Sequence, residues 1–176
     1  MCGIAGYFGG DAAVSRRIPS ALERMRRRGP DSSNFSIHSS QGGNQVMLLH
    51  SRLGILDLDP RSNQPFEASG CSLVFNGEIY NYLELRAELE NLGHFFRTSS
   101  DTEVLLHSYL EFGEDCVLRF EGMWAFALWD SRRNRLFLSR DRFGEKPLYF
   151  AQRPEGFYFA SETSTLKALA GWTPEV

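Results

Sequence analysis

The chain has 176 residues, 42% of them hydrophobic and 23% charged, enough for one domain with a sizeable core and too short for two comfortable ones. Its formal net charge of −3 argues against a nucleic-acid or anionic-membrane binder, and no apolar run approaches the roughly 18 residues of a membrane helix. The N-terminal stretch has no basic region leading into a long apolar run, so no secretory signal is read there; Cys2, Cys71 and Cys116 form neither a disulfide framework nor a metal pattern, and a cytoplasmic, reduced setting is expected.

Gly3 to Phe8 reads as a short opening strand. Val14, Ile18, Leu22 and Met25 recur at helical spacing, which predicts one helix from Ala13 to Arg28, stopped by Gly29-Pro30. Strands are expected at Phe35–His38 and Val46–His50 around the polar turn 39–44, with a loop from Asp57 to Pro65 and a strand at Ser72–Phe75. Tyr82, Leu85, Leu89 and Leu92 mark a second helix closed by Gly93. Ser100 and Glu103 have the spacing of a capping box, opening a third helix that ends before Gly113.

The chain then turns to β: Met123–Asp130, Leu136–Arg140, Leu148–Gln152 and Phe157–Ala160, with a last helix at Thr163–Leu169. In the first of these strands, alternation puts Trp124, Phe126 and Leu128 on one face and Ala125, Ala127 and Trp129 on the other. Both faces are apolar, so the strand is covered on both sides. Tight hairpin spacing favours antiparallel pairing. Two stacked antiparallel sheets with helices on their outer faces satisfy this pattern, an α+β fold in four layers.

Cys2 is the residue with the sharpest chemistry. Removal of Met1 would leave a thiol and a free α-amine on one residue, and that amine, with an unperturbed pKa of about 7.7–8.0, can activate its own nucleophile without a histidine. Taken singly, the other candidates have plainer readings. Asn76-Gly77 fits a hairpin turn, Arg52 and Glu78 fit surface charges, and Asp101 fits a helix cap. His38, His50, His94 and His107 lack metal spacing, and His50 reads as structural rather than as a base. The basic residues between Arg16 and Arg28 read as a solvated helix face.

In order, the chain carries Cys2-Gly-Ile-Ala-Gly6, Arg28-Gly-Pro-Asp31, His50-Ser-Arg-Leu-Gly-Ile55, Asn76-Gly-Glu-Ile-Tyr-Asn81, Ser99-Ser-Asp-Thr-Glu103, Phe120–Asp130 and Arg140-Asp-Arg-Phe-Gly-Glu-Lys-Pro-Leu-Tyr149. The series resembles the class II glutamine amidotransferase domain, most closely that of asparagine synthetases, from Cys2 to about Leu169. Gly54 stands where the relatives often carry serine. The resemblance implies an N-terminal-nucleophile hydrolase fold over residues 1–170, with 171–176 starting a linker or tail. It implies hydrolysis of the L-glutamine side-chain amide to glutamate and ammonia through a thioester on Cys2. Asn76 and Gly77 match the oxyanion hole, Arg52 the carboxylate clamp, and Asp101 with Glu78 the ammonium site. Ile55 and Leu56 match further substrate contacts, and Arg28 belongs to a loop near the site. No metal or cofactor is implied for this half-reaction; ATP and magnesium would belong to an absent synthetase domain or subunit, the implied ammonia acceptor. A homo-oligomer is compatible with the pattern. The competing reading is a glutamine-binding or interaction domain of the same fold without turnover.

Overall fold

The first and last strands of the chain meet at the centre of one sheet. In the computed structural model, which describes residues 1–54 and 59–172, β1 (Gly3–Gly9) lies between β3 (Gln45–Arg52) and β9 (Gly156–Ala160). With β2 (Ser32–Ser39) and β8 (Tyr149–Arg153) they form a five-stranded sheet in the order β2-β3-β1-β9-β8. The second sheet runs β4-β5-β6-β7, from β4 (Phe66–Ala68), β5 (Cys71–Ile79), β6 (Gly122–Asp130) and β7 (Arg135–Arg140). Every pairing in both sheets is antiparallel.

Three apolar layers separate four layers of structure. Trp124, Phe126 and Leu128 of β6 join Leu73, Phe75, α2 (Tyr82–Asn91) and α3 (Asp101–Phe112) in one core. Ala125, Ala127 and Trp129 face the other sheet, against Ile4, Val46, Leu48 and Phe159. The opposite face of that sheet, with Ala5, Tyr7, Met47, Leu49 and Tyr158, is covered by α1 (Ile18–Met25) and α4 (Thr163–Ala170). The fold is the expected α+β four-layer sandwich, and β6 divides its side chains between two cores as its alternation requires.

Several boundaries differ from the periodicity. The expected helix 13–28 is a 3₁₀ turn, Ala12–Arg17, followed by the shorter α1. Pro19 has no N–H to continue a helix arriving from upstream, and it sits in the first turn of α1, where none is needed. β4 was not expected: Ser69 and Gly70, at φ 50° and 76°, make a two-residue reversal that pairs Ala68 with Cys71. Further 3₁₀ turns span Pro60–Ser62 and Gly113–Leu118. Ser100 caps α3 as expected, accepting from Glu103 N at 3.4 Å. The Glu103 carboxylate, however, accepts from Arg97 N and from Thr98 N and Oγ1, so it ties down the segment before the cap. None of the described helices is long and apolar enough to cross a membrane.

Phe126 is fully buried at the centre of the β6–α3 core. Phe126→Ala is expected to destabilise the fold by about 3–5 kcal/mol, seen as a lower urea midpoint with little change in slope.

Candidate active site

Cys2, Arg52, Asn76, Gly77, Glu78 and Asp101 line one cavity of about 220 Å³. That is below the roughly 300–1,000 Å³ of pockets for drug-sized ligands, a size suited to a single amino acid. Ile55 and Leu56 lie outside the described residues.

The cavity is built on the free edge of β5. Asn76 and Gly77 are not in a turn; they pair with Ala125 and Trp124 in mid-strand. In the β5–β6 ladder the even-numbered residues of β5 exchange hydrogen bonds with β6, a parity fixed by Tyr80 N bonding Glu121 O just beyond the strand. The N–H groups of Phe75, Gly77 and Ile79 therefore point away from β6, where β4 covers only Cys71–Leu73. Phe75 N donates to Gln64 Oε1 at 2.6 Å, and Ile79 N donates to Asp101 Oδ2 at 3.1 Å. Between them the Gly77 N–H is directed toward the cavity. Beside it, Asn76 is buried and its Nδ2 has no hydrogen-bond partner among the described residues. A Cβ on residue 77 would lie 2.2 Å from Met123 O, so only glycine fits against β6 at this point.

Cys2 stands just before β1. Its Sγ donates to Leu53 O at 3.6 Å and accepts from Leu53 N at 3.4 Å, and Arg28 Nε holds Cys2 O at 2.9 Å. Arg28 also pairs with Glu162 at 3.3 Å, so the expected Arg28 loop does reach Cys2. In the same loop Asp31 accepts from Gly54 N and its own N–H bonds Arg52 O. Burial pushes the Cys2 thiol above its ordinary range, although Leu53 N–H, the terminal ammonium of Met1 and Arg52 pull it down. Met1 itself forms part of the cavity wall. His50 is no base for this thiol: it is buried in β3, its Nε2 faces Phe75 O at 3.3 Å, and desolvation lowers its pKa to about 3.

Arg52 is buried rather than on the surface, with its guanidinium on Asn63 Oδ1 at 2.7 Å and Asp59 O at 3.3 Å. Asp101 is likewise buried, at the first position of α3. Desolvation raises its pKa to about 6, and the neighbouring Glu78 adds to the rise, while the Ile79 N–H opposes it. The cavity thus offers a cation, a buried carboxylate, a sulfur and two unclaimed N–H donors.

Among the lining residues not expected from the sequence are Gln64 and Lys146. Gln64 joins three elements, accepting from Phe75 N and donating to Thr102 Oγ1 at 3.2 Å. Nothing in its local sequence marks that task. Lys146 lies in the quoted Arg140–Tyr149 stretch, which was the available signal. Its loop is gathered by Asp141, whose carboxylate accepts from Trp124 N, Phe143 N, Glu145 N and Lys146 N at 2.9–3.2 Å. Those donors hold the Asp141 pKa below the ordinary aspartate value despite the cost of burial. Its stabilising contribution is therefore complete above about pH 4 and is lost as pH falls through the lowered folded pKa. Asp141→Ala is expected to destabilise by about 2 kcal/mol or more at neutral pH, and urea titrations should show the gap to wild type shrinking as pH falls below about 4.

The full chain, residues 1–176, matches the family described as "Glutamine amidotransferase domain". It is 38% identical over 175 residues to asparagine synthetase (glutamine-hydrolyzing) 3 of Bacillus subtilis strain 168, covering 96% of this chain and 28% of that protein. It is 43% identical over 173 residues to a putative asparagine synthetase (glutamine-hydrolyzing) of Mycobacterium bovis, covering 93% and 26%. The chain thus spans about a quarter of the length of these relatives. Its fold matches that of a glutamine phosphoribosylpyrophosphate amidotransferase from B. subtilis, with a TM-score of 0.77 at 21% identity over 96% of this chain and 44% of the other. Sequence family and fold agree: the chain belongs to the glutamine amidotransferase domain family.

Proposed function

We propose that the chain hydrolyses the side-chain amide of L-glutamine, with Cys2 as nucleophile, and that the ammonia passes to a synthetase domain or subunit. The observation that carries this reading is the unpartnered Asn76 Nδ2 beside the cavity-facing Gly77 N–H, in one small cavity with the Cys2 sulfur. Buried donors left without acceptors match an oxygen that becomes negative only during reaction. Arg52 and Asp101 offer opposite charges for an α-carboxylate and an α-ammonium, which selects a free amino acid; Glu78 adds negative charge at the ammonium end.

With Met1 removed, the Cys2 α-amine takes the thiol proton as Sγ attacks the carbonyl carbon of the side-chain carboxamide. Asn76 Nδ2 and Gly77 N–H hold the resulting oxyanion. Collapse breaks the C–N bond, the ammonium of Cys2 returns the proton to the departing nitrogen, and a thioester remains. Water then attacks that thioester, giving glutamate and restoring the thiol. The amine is needed because burial keeps the thiol protonated. Every step uses Cys2 and backbone or amide donors; ATP and magnesium are assigned to the acceptor domain.

Glutamate release from L-glutamine should be confined to chains whose N-terminal mass shows loss of Met1. Cys2→Ala should abolish it while keeping the fold, and Arg52→Ala should raise KM about 10–100-fold with a smaller change in kcat. Bound glutamine without turnover in the processed chain would instead identify a binding domain.

Two ionisations shape the acid limb. The amine must be unprotonated to act and Asp101 must be ionised to hold an ammonium, and kcat/KM reports both in the free enzyme. Its logarithm should fall with slope one below the range of the amine and slope two below about pH 6, where Asp101 takes its proton. In Asp101→Asn the slope should stay at one.

A further inference from the structure

The two sheets present four edge strands, and three of them are guarded. β4 is only three residues long, and β7 begins and ends on arginine, Arg135 and Arg140. β8 has five residues, ends on Arg153 and is followed by Pro154. Short strands, charges and proline all discourage pairing with another chain. β2 has none of these devices. Its eight residues, Ser32-Ser-Asn-Phe-Ser-Ile-His-Ser39, include no lysine, arginine, carboxylate or proline. Burial lowers the pKa of His38, which leaves the strand uncharged at neutral pH.

Ser40 N bonds Asn44 O just beyond the β2–β3 ladder, so the even-numbered residues of β2 exchange hydrogen bonds with β3. The N–H and C=O groups of Ser33, Phe35, Ile37 and Ser39 therefore point to the open side, where no strand of the described residues lies. Side chains alternate with the same parity. Ser36 and His38 turn inward: Ser36 Oγ lies 3.4 Å from Ser72 Oγ, and His38 lines a cavity of about 270 Å³ with Glu67, Ser72 and Trp129, at the end of β5 remote from the candidate active site. Phe35 and Ile37 turn to the other face, beside Leu49 and Met47 of β3. There α1 and α4 bury Met47 and Leu49 but leave Phe35 50% and Ile37 44% exposed. The apolar face of the sheet thus runs past its helices to an open edge.

This edge is complementary to itself. Two copies related by a two-fold axis at Ser36 pair antiparallel with Phe35 opposite Ile37 and Ser33 opposite Ser39, so that every open N–H and C=O finds a partner. Across the axis, Met47 and Ile37 of one copy continue into Phe35 and Leu49 of the other, and an aromatic beside a β-branched residue is a favourable cross-strand pair. A shift of two residues in either direction sets Phe35 or Ile37 against a serine. On the inward face Asn34 meets His38 and Ser36 meets its own copy, with no like charges opposed.

We propose that β2 is a homodimer interface, in which two copies of the chain pair β2 to β2 about Ser36 and join their five-stranded sheets into one. One strand per copy is a small contact, so the association depends on concentration. None of the pairing residues lines the Cys2 cavity, and the glutaminase reading stands or falls separately.

Sedimentation of the full chain over a concentration series should show a monomer–dimer equilibrium. Amide exchange at Phe35 and Ile37 should slow as dimer forms, whereas Asn34 and Ser36, already bonded to β3, should change little. Ile37→Lys should weaken association about tenfold, because symmetry counts the lost pair twice. Phe150→Lys, at an exposed aromatic on the opposite edge strand, should leave it unchanged. Phe35→Lys with Ile37→Glu in one chain sets unlike charges opposite each other in this register, and at low salt it should associate more tightly than either single variant. A chain monomeric at every concentration, a dimer indifferent to Ile37→Lys or lost in Phe150→Lys, unchanged exchange at Phe35 and Ile37, or a double variant no tighter than its parents would each overturn the pairing.

Discussion

The active-site geometry depends on the parity of one antiparallel ladder. Because even-numbered residues of β5 spend their hydrogen bonds on β6, the odd-numbered N–H groups all face the other edge, where β4 stops at Leu73. A buried sheet edge must find partners for its backbone. Gln64 supplies one for Phe75 and Asp101 supplies one for Ile79, which brings a loop and the start of α3 against the strand. The gap between them at Gly77 is the mouth of the site. A one-residue slip would turn that N–H into β6 and carry Asn76 to the opposite face of the sheet.

The enclosure that completes this edge also sets its electrostatics. Desolvation raises both the Cys2 thiol and the Asp101 carboxyl, so burial favours their neutral forms. Asp141, less deeply enclosed than Asp101, is driven the other way by its backbone donors. The difference follows from function in the fold. Asp141 accepts from four backbone N–H groups and organises a loop, while Asp101 accepts from one backbone donor of β5, beside Glu78, and retains capacity for a cationic ligand. Arg28 and Asp31 fix the backbone on either side of the sulfur, so Cys2 is positioned by residues outside the cavity lining.

The two ends of the sandwich solve the same problem differently. In both, inward positions that could carry apolar side chains carry polar ones, and in both a buried N–H has no acceptor among the described residues: Asn76 at one end, Trp129 at the other. Between them the sheets are sealed by Ile4, Leu48, Val74 and Phe159, which keeps the two cavities separate.

Much of this was legible in local sequence. The alternation in Trp124–Trp129 placed β6 between two cores, Ser100 marked the cap of α3, and the ordered motifs named the six residues that the fold brings to one cavity. These signals are local, because periodicity, caps and short motifs are written within a few residues of the groups they govern. The extents of β3 and β5 were not legible: Arg52, Asn76, Gly77 and Glu78 are polar or glycine, and they are strand residues only because β2 and β6 pair with them. Nor were β4, Gln64 and the Trp129 cavity. Which N–H faces a partner, which faces a cavity, and which side chain closes the gap are decided by pairing register between segments distant in the chain, and that register exists only once the sheets have assembled.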